Sequence, residues 1–383
     1  MIRESDANIV IVGGGIQGLS VAYEMAKLGM KRIVVLEKSY LCSGASGRNG
    51  GGVRAQWASR DNIELMRESI QICRDFAAEM RINVWFRQGG YLFVARTADR
   101  AEQLEASVAL QRECGLDTRL LGPEGAHAIV PELDASRIMA ASYNPTDGVV
   151  FPWPFVWGYA EGARQRGVEI RTFTEVVDVE TANGKVIAVR TPDERIRTSL
   201  VLNAAGAWSP EIARMVGVDL PTKPHRHEIC STEPLKPFLK PLVADLASGL
   251  YFSQSMRGEI VGGISNAEVP EGLDQGSSLR FLGLYARALT RAMPRLGAVR
   301  VLRQWAGCYD LTVDRAPIIG RVDGVEGFIL MSGFIGHGFM IAPIMARIMA
   351  KYLVQDVDHP TFTSWAFRRF RDGNLCGETM VLG

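Results

Sequence analysis

The segment Asn8 to Gly18, NIVIVGGGIQG, constrains this chain more than any other. Asn8 to Val12 is a short β-branched run that reads as a buried strand. It ends directly in Gly13-Gly14-Gly15-Ile16-Gln17-Gly18, which fits GxGxxG. Ile16 to Leu28 follows with helical character, Leu19, Tyr23 and Ala26 sharing a face, and Ile33 to Leu36 is a second buried strand closed by Glu37. Strand, helix and strand in this order predict a β-α-β unit with a parallel sheet and a right-handed crossover. Gly13 allows the tight turn, Gly15 lets a pyrophosphate reach the N–H groups of Ile16 and its neighbours at the helix N-terminus, and Gly18 permits close helix–strand packing. Glu37 is placed to accept both ribose hydroxyls and to repel a 2′-phosphate. The competing reading is a glycine turn with no ligand. A strand before the glycines, a helix after them and an acid closing the next strand favour a dinucleotide. The unit leaves NAD and FAD both open.

Two further segments extend the site. Ser43 to Gly52 is a loop of small residues that can wrap an extended cofactor, and Leu202 to Trp208 is a strand end that turns into small residues. Ser332 to Phe339 is a third glycine-rich stretch, where a helix N-terminus would face the ligand and stabilise negative charge. Three separated contacts of this kind suit one long cofactor. The rest of the composition excludes other classes. A net charge of +1, from 43 basic against 42 acidic residues, argues against nucleic-acid or membrane-surface partners. Six cysteines without a CxxC pair, and only five histidines, argue against a metal site or a disulfide framework. Gly327 to Ala346 lacks Asp, Glu, Lys and Arg and has the length of a membrane span. Gly333, Gly336, His337, Gly338 and Pro343 interrupt it, so a buried strand, a glycine turn and a buried helix are expected instead. The first residues carry no basic-then-apolar leader, so a cytoplasmic protein is expected.

A length of 383 residues suggests about two domains. Ser59 to Met80 reads as an amphipathic helix with Ile63, Met66, Ile70, Cys73 and Ala77 on its apolar face and Asp61 as N-cap; Thr97 to Cys114 reads as a second, and Phe155 to Arg166 as a third. Glu169 to Glu180, Lys185 to Arg190 and Arg195 to Asn203 predict a meander turning at Asn183-Gly184. A strand-rich block from Glu228 to Ile264, a helix over Leu279 to Met293, strands at Val299 to Gln304 and Gly327 to Ser332, and a long helix over Phe339 to Val354 complete an α/β chain.

The order of these features resembles the D-amino-acid-oxidase-like superfamily of FAD-dependent oxidoreductases, nearest to its sarcosine oxidase and L-proline dehydrogenase beta subunits. The likeness rests on the GxGxxG-to-Glu37 unit, Asn144-Pro145-Thr146-Asp147-Gly148, Trp305-Ala306-Gly307 with Asp314 to Gly320, and the Gly333 to Phe339 loop. It implies a glutathione-reductase-type two-domain flavoprotein, with a Rossmann-like FAD-binding domain over 1–85, 146–225 and 300–383 and a sheet-based substrate domain over 86–145 and 226–299. It implies FAD contacts at Gly13, Gly15, Ile16, Gly18, Glu37 and Lys38, at Ser46, Asn49, Gly50 and Gly51, at Val176, at Ala205, Gly206 and Trp208, and at Gly336, His337, Gly338, Phe339 and Met340. Relatives that tether a flavin do so through a cysteine matching Gly307 or a histidine matching Pro152, so non-covalent FAD is expected here.

The reaction implied is oxidation of the C–N bond of a small secondary amino acid, such as sarcosine, proline or iminodiacetate, giving an imine that water hydrolyses. Oxygen or another acceptor would take the electrons, and a partner subunit or homo-oligomer is implied by the subunit relatives. Three residues are candidates for the catalytic side. Arg54 matches a substrate-side arginine and would hold the carboxylate bidentately; the competing reading is an arginine salt-bridged within the fold or facing the cofactor, with Arg48 as the alternative. Tyr251 lies beside the carboxylate or is a half-buried sheet aromatic. His337 bonds flavin or substrate, or is simply satisfied in its turn. His225 and His227 are read as structural. No lysine occurs between Lys240 and Lys351, and Met340 stands where relatives carry one, which points away from oxygen as acceptor unless Arg257 or Arg315 substitutes.

Overall fold

A computed structural model describes residues 3–380. Two large sheets organise the chain. The first runs, strand by strand, Arg3–Asp6, Glu194–Arg197, Lys185–Arg190, Val325–Ser332, Val201–Asn203, Ile9–Val12, Ile33–Leu36 and Glu169–Arg171. Its centre is parallel: Ile9–Val12 lies between Val201–Asn203 and Ile33–Leu36, and Val201–Asn203 also pairs with Val325–Ser332. These central strands are buried on both faces, which is why they read as unbroken apolar runs. Helices Ile16–Lys27, Arg60–Met80, Pro152–Arg164 and Gly338–Gln355 pack together on one face.

The expected meander is smaller than its sequence suggested. Asp178–Ala182, Lys185–Arg190 and Glu194–Arg197 do pair antiparallel. Glu169–Arg171 and Val201–Asn203 instead join the parallel sheet beside Ile33–Leu36 and Ile9–Val12. The helix expected from Ser59 spans Arg60–Met80, with Ser59 rather than Asp61 at its N-cap position. Its buried stripe includes Ile63, Met66, Ile70, Cys73 and Phe76; Ala77 is exposed although it shares the face of Ile70 and Cys73, and in the last turns Phe76 makes the contact instead, packing on Phe155 and Tyr159.

The second sheet runs Val301–Thr312, Thr222–Thr232, Ile260–Gly263, Tyr251–Gln254, Leu242–Asp245, Tyr91–Ala95, Ala140–Asn144 and Arg119–Leu121. Successive side chains on its strands serve different cores. Leu92, Val94 and Val243 pack toward helix Leu279–Ala292, while Tyr91, Phe93, Leu242 and Ala244 face the first sheet's helices. Val301–Thr312 is paired along its length with Thr222–Thr232. It therefore belongs to this sheet, on the C-terminal side of the domain boundary expected at residue 300. Among the described residues no helix is long and apolar enough to cross a membrane. Gly327 to Ala346 forms a buried strand, a turn and a buried helix N-terminal half.

Candidate active site

The parallel strands end on a cavity of about 460 Å³ between the two sheets. Gly13, Gly15 and Ile16 line it at the strand-to-helix turn. Gly13 has φ +114°, and a Cβ there would lie 2.5 Å from the Ala204 carbonyl oxygen, so only glycine fits. Gly18 does not reach the cavity. A Cβ on it would meet the Gly13 carbonyl oxygen at 2.1 Å, so its part is to let helix and turn approach. The Ile16 N–H donates to Ser46 Oγ at 2.9 Å, which ties the small-residue loop to the helix N-terminus. Glu37 accepts from Gly14 N–H and Ser39 N–H, both at 2.8 Å, and from Ser43 Oγ at 3.2 Å. Lys38 Nζ sits 4.4 Å over the Trp208 ring. Val176, Ala205, Gly206 and Trp208 form the wall beyond. Asn49 closes a turn by accepting from Gly51 N–H at 2.8 Å, which brings Gly50 and Gly51 to the cavity.

The opposite end is built by the Gly333–Phe339 loop and helix Gly338–Gln355. Asp310 fixes this loop, accepting from Gly333 N–H at 2.6 Å and Ile335 N–H at 3.0 Å. Burial raises its carboxyl to about 6 against these bonds. Gly336, His337, Gly338, Phe339 and Met340 line the cavity at the helix N-terminus. His337 is 2% exposed, packs edge-on to Trp57 at 4.9 Å, and has no hydrogen-bond partner at either ring nitrogen. Burial, with the Arg54 charge second, lowers its pKa to about 3, so the ring is neutral. Two unpartnered ring nitrogens beside a cavity with two helix N-termini fit a ligand rich in hydrogen-bonding groups and negative charge.

Arg54 lies across the cavity from the glycine turn and is 2% exposed. Its guanidinium is 3.6 Å over the Trp57 ring and 5.1 Å from that of Phe93, and it donates to the carbonyls of Gln56 and Met380. Among the described residues no carboxylate forms an ion pair with it, and burial lowers its pKa. The Asn144–Gly148 turn holds the segment that carries it. Buried Asp147 accepts from Ala55 N–H at 2.8 Å, Gln56 Nε2 at 3.0 Å and Asn144 Nδ2 at 2.8 Å. Arg48, the alternative, donates to the carbonyls of Ser43 at 2.7 Å and Ala306 at 3.1 Å and so pins the small-residue loop to the second sheet.

Tyr251 lines the same end, its hydroxyl 3.1 Å from His227 Nε2. The His227 ring is stacked between Tyr251 and Tyr309, and burial lowers its pKa to about 4. His227, expected to be structural, thus lies on the cavity wall, with Tyr91, Leu242 and Tyr309, which the sequence reading did not single out. The available signal was strand alternation, but Tyr91-Leu92-Phe93-Val94 is apolar on both faces and does not say which face meets a ligand. Arg257 and Arg315 do not line the cavity; its lysine and arginine residues are Lys38, Arg48 and Arg54.

Comparison with known proteins places this geometry. The family model described as FAD dependent oxidoreductase matches residues 8–352. Sarcosine oxidase subunit beta of Rhizobium meliloti is 30% identical over 376 residues, covering 97% of this chain and 90% of that protein. Mitochondrial dimethylglycine dehydrogenase of Rattus norvegicus is 27% identical, over 91% of this chain and 43% of its own length. The crystal structure of L-proline dehydrogenase from P. horikoshii superposes with a TM-score of 0.92 at 32% identity, covering 97% of this chain and all of that one.

Proposed function

The chain belongs to the FAD-dependent oxidoreductase family, and from that membership we propose that it oxidises the C–N bond of a small secondary amino acid such as sarcosine, proline, iminodiacetate or another N-substituted glycine. The observation that carries this reading is Arg54, a buried cation on the cavity wall without a carboxylate ion-pair partner among the described residues. A charge taken out of water needs a counter-ion, and an amino-acid carboxylate supplies one. Relatives acting on sarcosine, dimethylglycine and proline support the same class.

FAD, when bound, supplies the acceptor for the hydride leaving the carbon next to nitrogen. The chain does the rest by placement. Gly13, Gly15, Ile16, Ser46, Glu37 and Lys38 would hold the adenosine and pyrophosphate part, with Val176, Ala205, Gly206 and Trp208 along its wall. Asn49, Gly50, Gly51, Gly336, Gly338, Phe339 and Met340 would hold the ring part, where the helix N-terminus favours negative charge. Arg54 grips the carboxylate with its planar fork, and Tyr251, oriented by His227, offers a hydroxyl beside it. Neutral His337 provides a donor and an acceptor without adding charge. The apolar faces of Trp57, Tyr91 and Leu242 exclude water from the reacting carbon. The one lysine among the described residues lining the cavity, Lys38, sits over Trp208, away from the His337–Tyr251 end, and the lack of a lysine at that end supports an electron acceptor other than oxygen.

The test is Arg54→Met in the flavin-loaded enzyme. Leaving a substrate carboxylate desolvated and unpaired costs about 2–5 kcal/mol, so kcat/KM should fall at least about tenfold. FAD content should hold, and Arg54→Lys should recover only part of the activity, because a point charge cannot form the fork. Full activity in Arg54→Met places the carboxylate elsewhere; loss of flavin or fold makes Arg54 structural. The beta-subunit relatives favour a second reading, in which this chain bears the flavin of a larger amine dehydrogenase and needs a partner for activity. Anaerobic bleaching of the purified chain by sarcosine, proline or iminodiacetate separates the two.

A further inference from the structure

The last described residues end inside the protein, beside the substrate end of the cavity. Glu378 is 5% and Met380 2% exposed, although both follow a short surface helix, Arg369–Asp372. The tail is fastened in stages. Cys376 N–H donates to Asp314 Oδ2 at 3.1 Å, and Asp314 is itself held by a buried ion pair with Arg369 at 2.7 Å. Glu378 then crosses to the N-terminus of helix Arg60–Met80. One carboxylate oxygen accepts from Ala58 N–H at 3.1 Å and Met380 N–H at 2.9 Å. The other accepts from Ser59 Oγ at 3.1 Å and Asn62 Nδ2 at 3.0 Å. Ser59 makes no capping bond of its own, and Glu378 joins Asp61 of the first turn in placing negative charge at this helix end. Finally, the Met380 carbonyl accepts from Nη2 of Arg54.

This chain of contacts ends on the guanidinium assigned to the substrate carboxylate. A guanidinium has five N–H groups. Here Nη1 has a bond to the Gln56 carbonyl and Nη2 one to the Met380 carbonyl, while the ring of Trp57 covers one face. Both acceptors are neutral, so the cation is oriented without being neutralised. Among the described residues its Nε–H has no hydrogen-bond partner.

We propose that the tail Glu378–Met380 is a positioning element of the substrate site: Glu378 seats the Met380 carbonyl, and that carbonyl fixes the direction in which Arg54 presents its fork to the substrate carboxylate. The proposal rests on the reading of Arg54 given above. Glu378 acts through Arg54 and touches no reacting atom.

The experiment is a double-mutant cycle in the flavin-loaded full-length enzyme, with Glu378→Ala, Arg54→Met and both together, assayed with sarcosine and with L-proline. A lost carboxylate contact weakens binding before it slows chemistry, so Glu378→Ala should raise KM about tenfold while kcat stays within about twofold. FAD content should be unchanged. The double variant should be no worse than Arg54→Met alone, since the tail works only through that side chain. Glu378→Gln keeps one oxygen to accept from Ala58 and Met380 N–H and should show a smaller KM rise; it carries the test if the alanine variant does not fold. An unchanged KM in both Glu378 variants, or losses that simply add in the double variant, overturns the proposal. If Arg54→Met itself leaves KM unchanged, the reading of Arg54 fails, which is a different result.

Discussion

Glu37 follows strand Ile33–Leu36 on the cavity wall. Its carboxylate accepts from Gly14 N–H, Ser39 N–H and Ser43 Oγ. Glu37→Ala should therefore lower FAD affinity, because ribose hydrogen bonds to a charged acceptor are each worth about 1.5–3 kcal/mol. Equilibrium dialysis reads this directly, and unchanged flavin retention would remove Glu37 from the site. Glu37 and Gly13 were legible in sequence because their rules are local: a glycine turn between strand and helix, then an acid closing the next strand. Arg54 was legible as a residue but not as an environment. Its Met380 partner lies 326 residues away, and Phe93 meets it from a strand of the second sheet, although Trp57 is a local neighbour. His227 was missed for the same reason, since its role depends on Tyr251 and Tyr309 from separate strands.

Strand identity was clear from apolar runs and the Asn183-Gly184 turn, but strand partnership was not, because pairing is decided at long range. Glu169–Arg171 and Val201–Asn203 left the meander for the parallel sheet, and Val301–Thr312 extended past its expected end to pair with Thr222–Thr232. The Asn144–Gly148 turn, noted only through resemblance, gains a physical role: Asp147 holds the Arg54–Trp57 segment by Ala55 and Gln56. Burial raises Asp147 to about 7, against an ordinary value of about 3.9. Between those values the folded state binds the proton and the unfolded state has released it. Stability on this account falls as pH rises from about 4 to about 7 and is flat above. Asp147→Asn removes that slope. Denaturant melts should show wild type favoured over the variant by a larger margin at pH 5 than at pH 8; parallel profiles would show that Asp147 is ionised throughout.

At the scale of the whole molecule, the cavity is the seam between the two sheets, and a ligand filling it binds residues from both. FAD should therefore stabilise the folded chain as a unit, by about 2.7 kcal/mol at a free concentration a hundred times its dissociation constant. With 383 residues and an unfolding entropy near 2.1 cal/mol/K per residue, that is a rise of about 3 °C in Tm for the stripped protein titrated with FAD. The titration presupposes a removable cofactor, and the cavity wall supports one. Gly307 is the position that the resemblance matches to a tethering cysteine, and a Cβ there would lie 3.2 Å from that of Arg48. The neighbouring Cys308 turns its sulfur to the carbonyls of Gly272 and Asp274, at 3.8 and 3.6 Å, and burial raises its thiol to about 11, so little thiolate exists at neutral pH. Pro152 opens helix Pro152–Arg164 and does not line the cavity. Acid precipitation should thus leave the yellow colour in solution, and the stripped protein should recover both Tm and substrate-dependent bleaching when FAD is returned. Flavin that stays with the pellet, with a Tm indifferent to added FAD, would establish a covalent bond and require an attachment residue other than these three.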